Sequence, residues 1–244
     1  MTSRSFFAQT PSKARLLGGK NIMNQFLKAA LAVASIALPL QVHAAAVPIL
    51  NAGFEDPATA FVAKPIANWT DMGGGAGVWN INANGAPYWT VPAPEGNQIA
   101  YVSDGPAPSS TAASISQVLS TSLAANTLYT LSGQVGHPIG FGTGTIWTAS
   151  LYAFDGGSTH TLLDSISGTG PEGSFTGFSL LFDSTGSAYV GESLEIQLAS
   201  NHAQTGFDQI ALDAQSVPEA GTVSLMLFGL GFAGLAILRR KLFA

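Results

Sequence analysis

From Val47 onward, apolar and polar positions alternate in short runs separated by Gly, Pro, Asn and Ser, and no stretch carries the 3.6-residue period of an amphipathic helix. The clearest run is Glu192 to Leu198, which places Leu194, Ile196 and Leu198 on one face and Glu195 and Gln197 on the other. That is the signature of a half-buried antiparallel strand. The same period predicts strands over Gln98–Ser103, Ser114–Leu119, Thr127–Val135, Thr145–Phe154, Thr161–Ile166, Phe175–Phe182 and Phe207–Leu212. Gly73-Gly74-Gly75 with Gly77 reads as a flexible loop, and no internal repeat stands out. Short strands at this spacing predict an all-β fold, an antiparallel two-sheet sandwich or jelly roll.

Two segments break the pattern. Met23 to Lys28 forms a short positive start, Ala29–Leu40 an apolar stretch, and Val42-His43-Ala44 a small-residue exit. Residues 23–46 therefore read as a signal peptide, with signal peptidase cutting after Ala44 or Ala46, and residues 1–22 as an overextended start or disordered leader. At the other end Val223–Leu238 is uninterrupted apolar and small residues closed by Arg239, Arg240 and Lys241, which predicts a single transmembrane helix with a cytoplasmic basic end. The folded domain is expected over 47–216, and the tail over 217–244.

Charge sharpens this picture. Within 47–216 thirteen carboxylates face one cation, Lys64, for a net charge near −12, and the chain has no Cys. Such a surface repels phosphates, which argues against nucleic acid as a partner. Without Cys there are no disulfides, thiolate metal sites or cysteine nucleophiles.

The tail resembles the PEP-CTERM sorting signal on Val217, Pro218 and Glu219, the Gly-rich apolar run, and Arg239-Arg240-Lys241, with Ala220 where a second Pro usually stands. The resemblance implies processing by exosortase and delivery to the surface or extracellular matrix of a Gram-negative bacterium that makes extracellular polysaccharide. The domain resembles galactose-binding-like jelly rolls on Asn51–Glu55, Gly96–Tyr101, Leu128–Gly133 and Phe207–Leu212. This second resemblance implies first and last strands lying close together, often with a structural calcium ion at their junction.

Residue parity separately points to Asp208. Counting alternately, it shares a face with Ile210 and Leu212, so its carboxylate would sit at the core's edge and need a partner. Calcium held by Glu55, Asp208 and backbone carbonyls would suit it; so would backbone donors at a strand end, or Lys64. Trp79, Tyr88 and Trp89 flank Asn84-Gly85, a hairpin-turn signal, and in an exposed hairpin they would stack on sugar rings. Alternatively they fill the core, as Trp147 does within its apolar run. His137, His160 and His202 are spaced too widely for a zinc site and read as loop or surface residues. No Gly-x-Ser-x-Gly or calcium-loop pattern occurs, and no pair of the many carboxylates stands out as a glycosidase pair. The sequence therefore leads to a noncatalytic exported protein whose jelly roll binds extracellular polysaccharide. A purely structural biofilm protein and a secreted glycoside hydrolase are the alternatives.

Overall fold

The computed structural model describes residues 44–105, 112–141, 145–201 and 203–217. All lie in one compact unit, Val42–Ala220. The expected transmembrane helix and most of the signal peptide fall outside the described residues. Among the described residues no helix is long and apolar enough to cross a membrane.

Every alternating run becomes a strand. Four short strands come first: β1 (Ala44–Val47), β2 (Val62–Ala63), β3 (Thr70–Asp71) and β4 (Gly75–Asn80). A single helical turn, α1 (Ile81–Asn84), follows β4. Then come β5 (Gln98–Gly105), β6 (Ala113–Ser122), β7 (Thr127–Gly136), β8 (Trp147–Phe154), β9 (His160–Gly168), β10 (Thr176–Asp183), β11 (Ser193–Ser200) and β12 (Ala203–Ser216). The glycine run read as a loop supplies β4 instead, because Ala76 and Val78 bury one face of it against the core. β1 begins three residues before Val47, since Ala44 to Val47 pair with Gln215 to Leu212 at the far end of the chain.

The strands form two antiparallel sheets. One runs β10-β7-β12-β5-β4-β2, with β1 also on β12; the other runs β3-β6-β11-β8-β9. Leu194, Ile196 and Leu198 of β11 share a core with Tyr129, Leu131 and Val135 of β7, Ala100 and Val102 of β5, and Phe207 and Leu212 of β12. Each fully buried Leu or Ile contributes about 1.5–3 kcal/mol of transfer free energy, which fixes which face of each strand turns inward.

A second apolar cluster lies apart from that core. Trp79 of β4 and Ile99 of β5 alternate with the inward residues Val78 and Ala100, so they point to the outer face of the larger sheet. Residues 81–97 fold back over this face and bring Ile81, Trp89 and Ala93 onto it. Glycine makes the approach possible. A Cβ at Gly206 would stand 2.8 Å from Ile99 Cδ1 and 3.0 Å from Trp89 Cη2, and one at Gly136 would meet Ser174 O at 2.0 Å and Trp89 Cζ3 at 3.2 Å.

Gly206→Ala is expected to destabilise by about 1–3 kcal/mol through overpacking. Gly177→Ala, whose Cβ would meet nothing closer than 3.6 Å, should change stability by less than about 0.5 kcal/mol. Urea denaturation of both variants checks the pair; equal effects would show that the Trp89 layer does not press on β12.

Candidate functional site

The site begins with a break in β12. Phe207, Ile210 and Leu212 all lie in the main core, so two residues rather than one separate Phe207 from Ile210. The register against β7 shifts between Asp208 and Ala211, and Gln209 sits at φ 52°. This is a β-bulge. Asp208 consequently follows Phe207 onto the opposite face, and the expectation that it shares a face with Ile210 is corrected. It lies on the outer side of the sheet, two residues beyond Gly206, under the returning 81–97 segment.

There Asp208 has no exposed surface. Its Oδ2 accepts the Glu95 N–H at 2.9 Å and its Oδ1 the Gln209 N–H at 2.8 Å. Gln209 Nε2 in turn donates to Pro94 O at 3.2 Å. Of the partners weighed for Asp208, backbone donors are the ones found; Lys64 instead places its ammonium 5.6 Å over the Tyr101 ring. Burial pushes the Asp208 carboxyl up to about 8; its two backbone N–H partners pull against the rise, and the charges of Glu95 and Glu55 add to it. Glu55 Oε1 accepts the N–H groups of Asn97 and Gln98 at 2.9 and 2.8 Å, so it ties the start of the domain to the end of the same returning segment. Among the described residues no three His, Asp or Glu side chains converge as a metal site.

The aromatic residues do not flank a hairpin. α1 takes the place of the expected turn, capped by Asn80, whose side chain accepts the Ala83 N–H at 2.9 Å. Gly85 O then accepts the N–H groups of Tyr88 and Trp89. Trp79 and Trp89 are buried, 7% and 5% exposed, while Tyr88 keeps 38%. The exposed-tip expectation therefore fails for both tryptophans, because the segment lies down on the sheet. Trp89 stacks on Phe175 at 4.5 Å and 2°, Trp79 meets Trp89 edge-on at 6.2 Å, and Tyr88 bridges Trp79 and Phe141 at 5.9 and 5.4 Å. The indole N–H groups of Trp79 and Trp89 are buried with no hydrogen-bond partner. Trp147 fills the main core as expected.

His137 departs from a surface reading, whereas His160 is exposed as expected. His137 is buried; its Nδ1 donates to Gln204 O at 3.1 Å, while its Nε2 accepts the Gly170 N–H at 3.0 Å. Desolvation holds its pKa below the usual histidine value, against the pull of Gln204 O and the Glu172 charge. His160 covers Glu195, which is buried on the outer face of β11 rather than solvated, and stacks on Phe154 at 4.6 Å. His202 is outside the described residues. Of the sorting residues, Val217 is described, its N–H donating to Asn126 O at 2.7 Å; Pro218, Glu219, Arg239, Arg240 and Lys241 are not.

A buried acid beside an aromatic cluster can serve proton transfer. The HpiC1 cyclase family matches residues 45–213. The chain belongs to the HpiC1-like cyclase family. A crystal structure of a Stig cyclase from Fischerella sp. TAU, in complex with (3Z)-3-(1-methyl-2-pyrrolidinylidene)-3H-indole, is 25% identical at a TM-score of 0.62, covering 72% of this chain and 100% of that one. A cyclase from the same organism, in complex with 4-(1H-indol-3-yl)butan-2-one, is 26% identical at a TM-score of 0.62, covering 71% and 99%. No curated protein matches the chain. Membership in a cyclase family overturns the expectation that the domain is not an enzyme; that expectation rested on the lack of a catalytic motif and of any carboxylate pair that stood out. The PEP-CTERM protein-sorting motif matches residues 216–241, so the protein is exported and sorted to the cell envelope, and the motif implies exosortase processing.

Two titrations follow. Asp208 holds its proton more tightly folded than unfolded, so the stability it contributes is full below the ordinary value of 3.8 and is lost as pH rises through about 8. In chelator, stability should fall across that window, and Asp208→Asn should flatten the fall. His137 works in the opposite direction: its contribution is full above 6.5 and is lost as pH falls through its lowered folded value. His137→Gln should remove that acid-side loss. Denaturation midpoints measured from pH 4 to 9 separate the two, and an unchanged profile in either variant refutes its assignment.

Proposed function

We propose that this protein is an exported, envelope-sorted enzyme of the cyclase family that holds a small aromatic ring compound beneath residues 81–97 and promotes its rearrangement by proton transfer from Asp208. The observation that carries this reading is the Asp208 carboxyl, fully buried and pushed up to about 8. Such a group keeps its proton at neutral pH and can donate where an ordinary Asp only accepts. The Glu95 and Gln209 N–H groups then hold the carboxylate left behind until it recovers a proton from the product-forming intermediate. Walls for an apolar ring are at hand in Trp79, Tyr88, Trp89 and Phe175, and the unpartnered indole N–H groups offer two donors to a ligand oxygen. The indole-bearing ligands in the two Fischerella cyclase structures support the ligand class.

Two specific observations favour other roles. A calcium ion held by Asp208 with backbone carbonyls would answer the negative charge that Glu55 and Glu95 add near this carboxyl, and it would displace the proton, so metal and acid catalysis exclude each other there. The half-exposed ring of Tyr88, together with sorting to the envelope, favours an additional binding surface for neutral extracellular polysaccharide, at the outside of a Gram-negative cell.

The test uses 4-(1H-indol-3-yl)butan-2-one in D2O with the full chain, following deuterium exchange at the carbons beside the ketone by NMR. General acid catalysis by Asp208 predicts accelerated exchange that drops by about 100-fold or more in Asp208→Asn. Binding without accelerated exchange would defeat the enzymatic reading. A melting temperature that rises with calcium in the native chain but not in Asp208→Asn would assign the carboxyl to the metal instead. Polysaccharide retention lost in Tyr88→Ala would establish the binding surface.

A further inference from the structure

A cavity of about 210 Å³ opens between the two sheets, at the side where β3 ends the smaller sheet and β4 and β2 end the larger, and it shares no lining residue with the Asp208 site. Its inner wall is apolar and buried: Ile66, Trp69, Ala76 and Ile115. Trp69 is fixed there, its indole N–H donating to Asn51 O at 3.3 Å and its ring 5.3 Å from Phe54. Lys64, Pro65 and Asp71 form the exposed rim.

The two charged rim residues point in opposite directions. Lys64 turns away: its Cγ stands 2.9 Å from where a Cβ at Gly77 would be and its ammonium 5.6 Å over the Tyr101 ring, on the outer face of β4 and β5, while Ala76 lies on the inner face. Asp71 turns in. It is the register partner of Ile115 across β3 and β6, and paired residues of antiparallel strands send their side chains to the same face, which for Ile115 is the inner one. The charged head group on the cavity side is therefore a carboxylate. Its Oδ1 accepts the Gly73 N–H at 3.0 Å, which holds the side chain in place, and the salt bridge among the described residues joins His160 and Glu195 rather than Asp71 to a cation.

We propose that this cavity is a binding site for a small aromatic compound bearing an ammonium group, its ring against Trp69 and Ile115 and its nitrogen on Asp71. The size fits: an apolar cavity of about 150 Å³ holds one benzene ring, so about 210 Å³ leaves room for a short amine arm. The walls fit too, since the Trp69 N–H is already taken by Asn51 O and the other wall side chains are aliphatic, which suits a ring with no polar atom of its own. Charge then selects the arm. Thirteen carboxylates against one cation in residues 47–216 draw cations toward the domain and repel anions. At the rim the ammonium donates charge-assisted hydrogen bonds to Asp71, with the Lys64 ammonium out of the way on the other face. The site stands apart from Asp208 and needs none of its chemistry.

Calorimetric titration of the full chain with 2-phenylethylamine, 2-phenylethanol and phenylacetate, which share a ring and differ in the charge of the arm, tests this. The amine should bind about fivefold tighter than the alcohol or more, and the acid weakest of the three. Asp71→Asn, which keeps an acceptor for the Gly73 N–H, should bring the amine to the level of the alcohol, and added salt should narrow the same gap. Ala76→Leu, which puts bulk into the cavity, should abolish binding of all three, with circular dichroism confirming that the variant is folded. Asp71 is exposed, so Asp71→Asn decides the role of charge whether or not Ala76→Leu folds. Equal affinity for amine and alcohol in the native chain, or no binding of either, would overturn the proposal. So would amine binding that survives Asp71→Asn within about twofold, or that falls in Asp208→Asn but not in Asp71→Asn, which would move the ligand to the other site.

Discussion

Trp89 lying flat against strand backbone is the interaction on which the proposed site depends. It stacks on Phe175 and rests on Gly206 and Gly136, positions where any side chain would lift it away. Because Trp89 is down, residues 81–97 cover the outer face of the larger sheet, and because that face is covered, a carboxyl on it loses its water. The outer face of an antiparallel sheet is ordinarily solvated. Here it is a second interior, and Asp208 is buried in it with two backbone donors and no cation.

The burial is maintained from three directions. The bulge at Gln209 turns Asp208 outward while returning Ile210 and Leu212 to the main core, so strand alternation is broken without exposing either apolar residue. Glu55 grips Asn97 and Gln98, anchoring the end of the covering segment to the beginning of the domain. Gln98, itself buried, donates onward to Phe54 O and Pro57 O. Repulsion from Glu55 and Glu95 then adds to desolvation, so the groups that position Asp208 also keep it protonated.

Much of the fold was legible in the order of residues, because two-residue alternation with one buried face admits little else. All eight runs from Gln98 to Leu212 are strands, within a few residues at their ends. The segment from Val62 to Asn84 was not, since strands of two residues and a four-residue helix carry no period to detect. Asp208 was picked out correctly as a carboxyl in need of a partner, but by a parity count that ignored the bulge. The clue was present: Phe207, Ile210 and Leu212 are spaced by three and then two, and an odd step between apolar residues on one strand marks an inserted residue. Trp79 and Trp89 were left between an exposed hairpin tip, which Asn84-Gly85 suggests, and the interior, and the interior wins because the segment buries its rings on a glycine-bearing face. Absence of enzymatic activity was inferred from the lack of a catalytic motif and of a carboxylate pair that stood out, and a proposed site around Asp208, built on burial by a covering segment, leaves neither signal in the sequence.

The proposed chemistry requires Asp208 to carry a proton at neutral pH. Carbon-13 NMR of the full chain labelled at aspartate carboxyl carbons, titrated in the presence of chelator and assigned by the signal missing in Asp208→Asn, measures this directly. One aspartate resonance should keep the shift of a protonated carboxyl through neutral pH and titrate near pH 8. A resonance for Asp208 already ionised by pH 5 would contradict it.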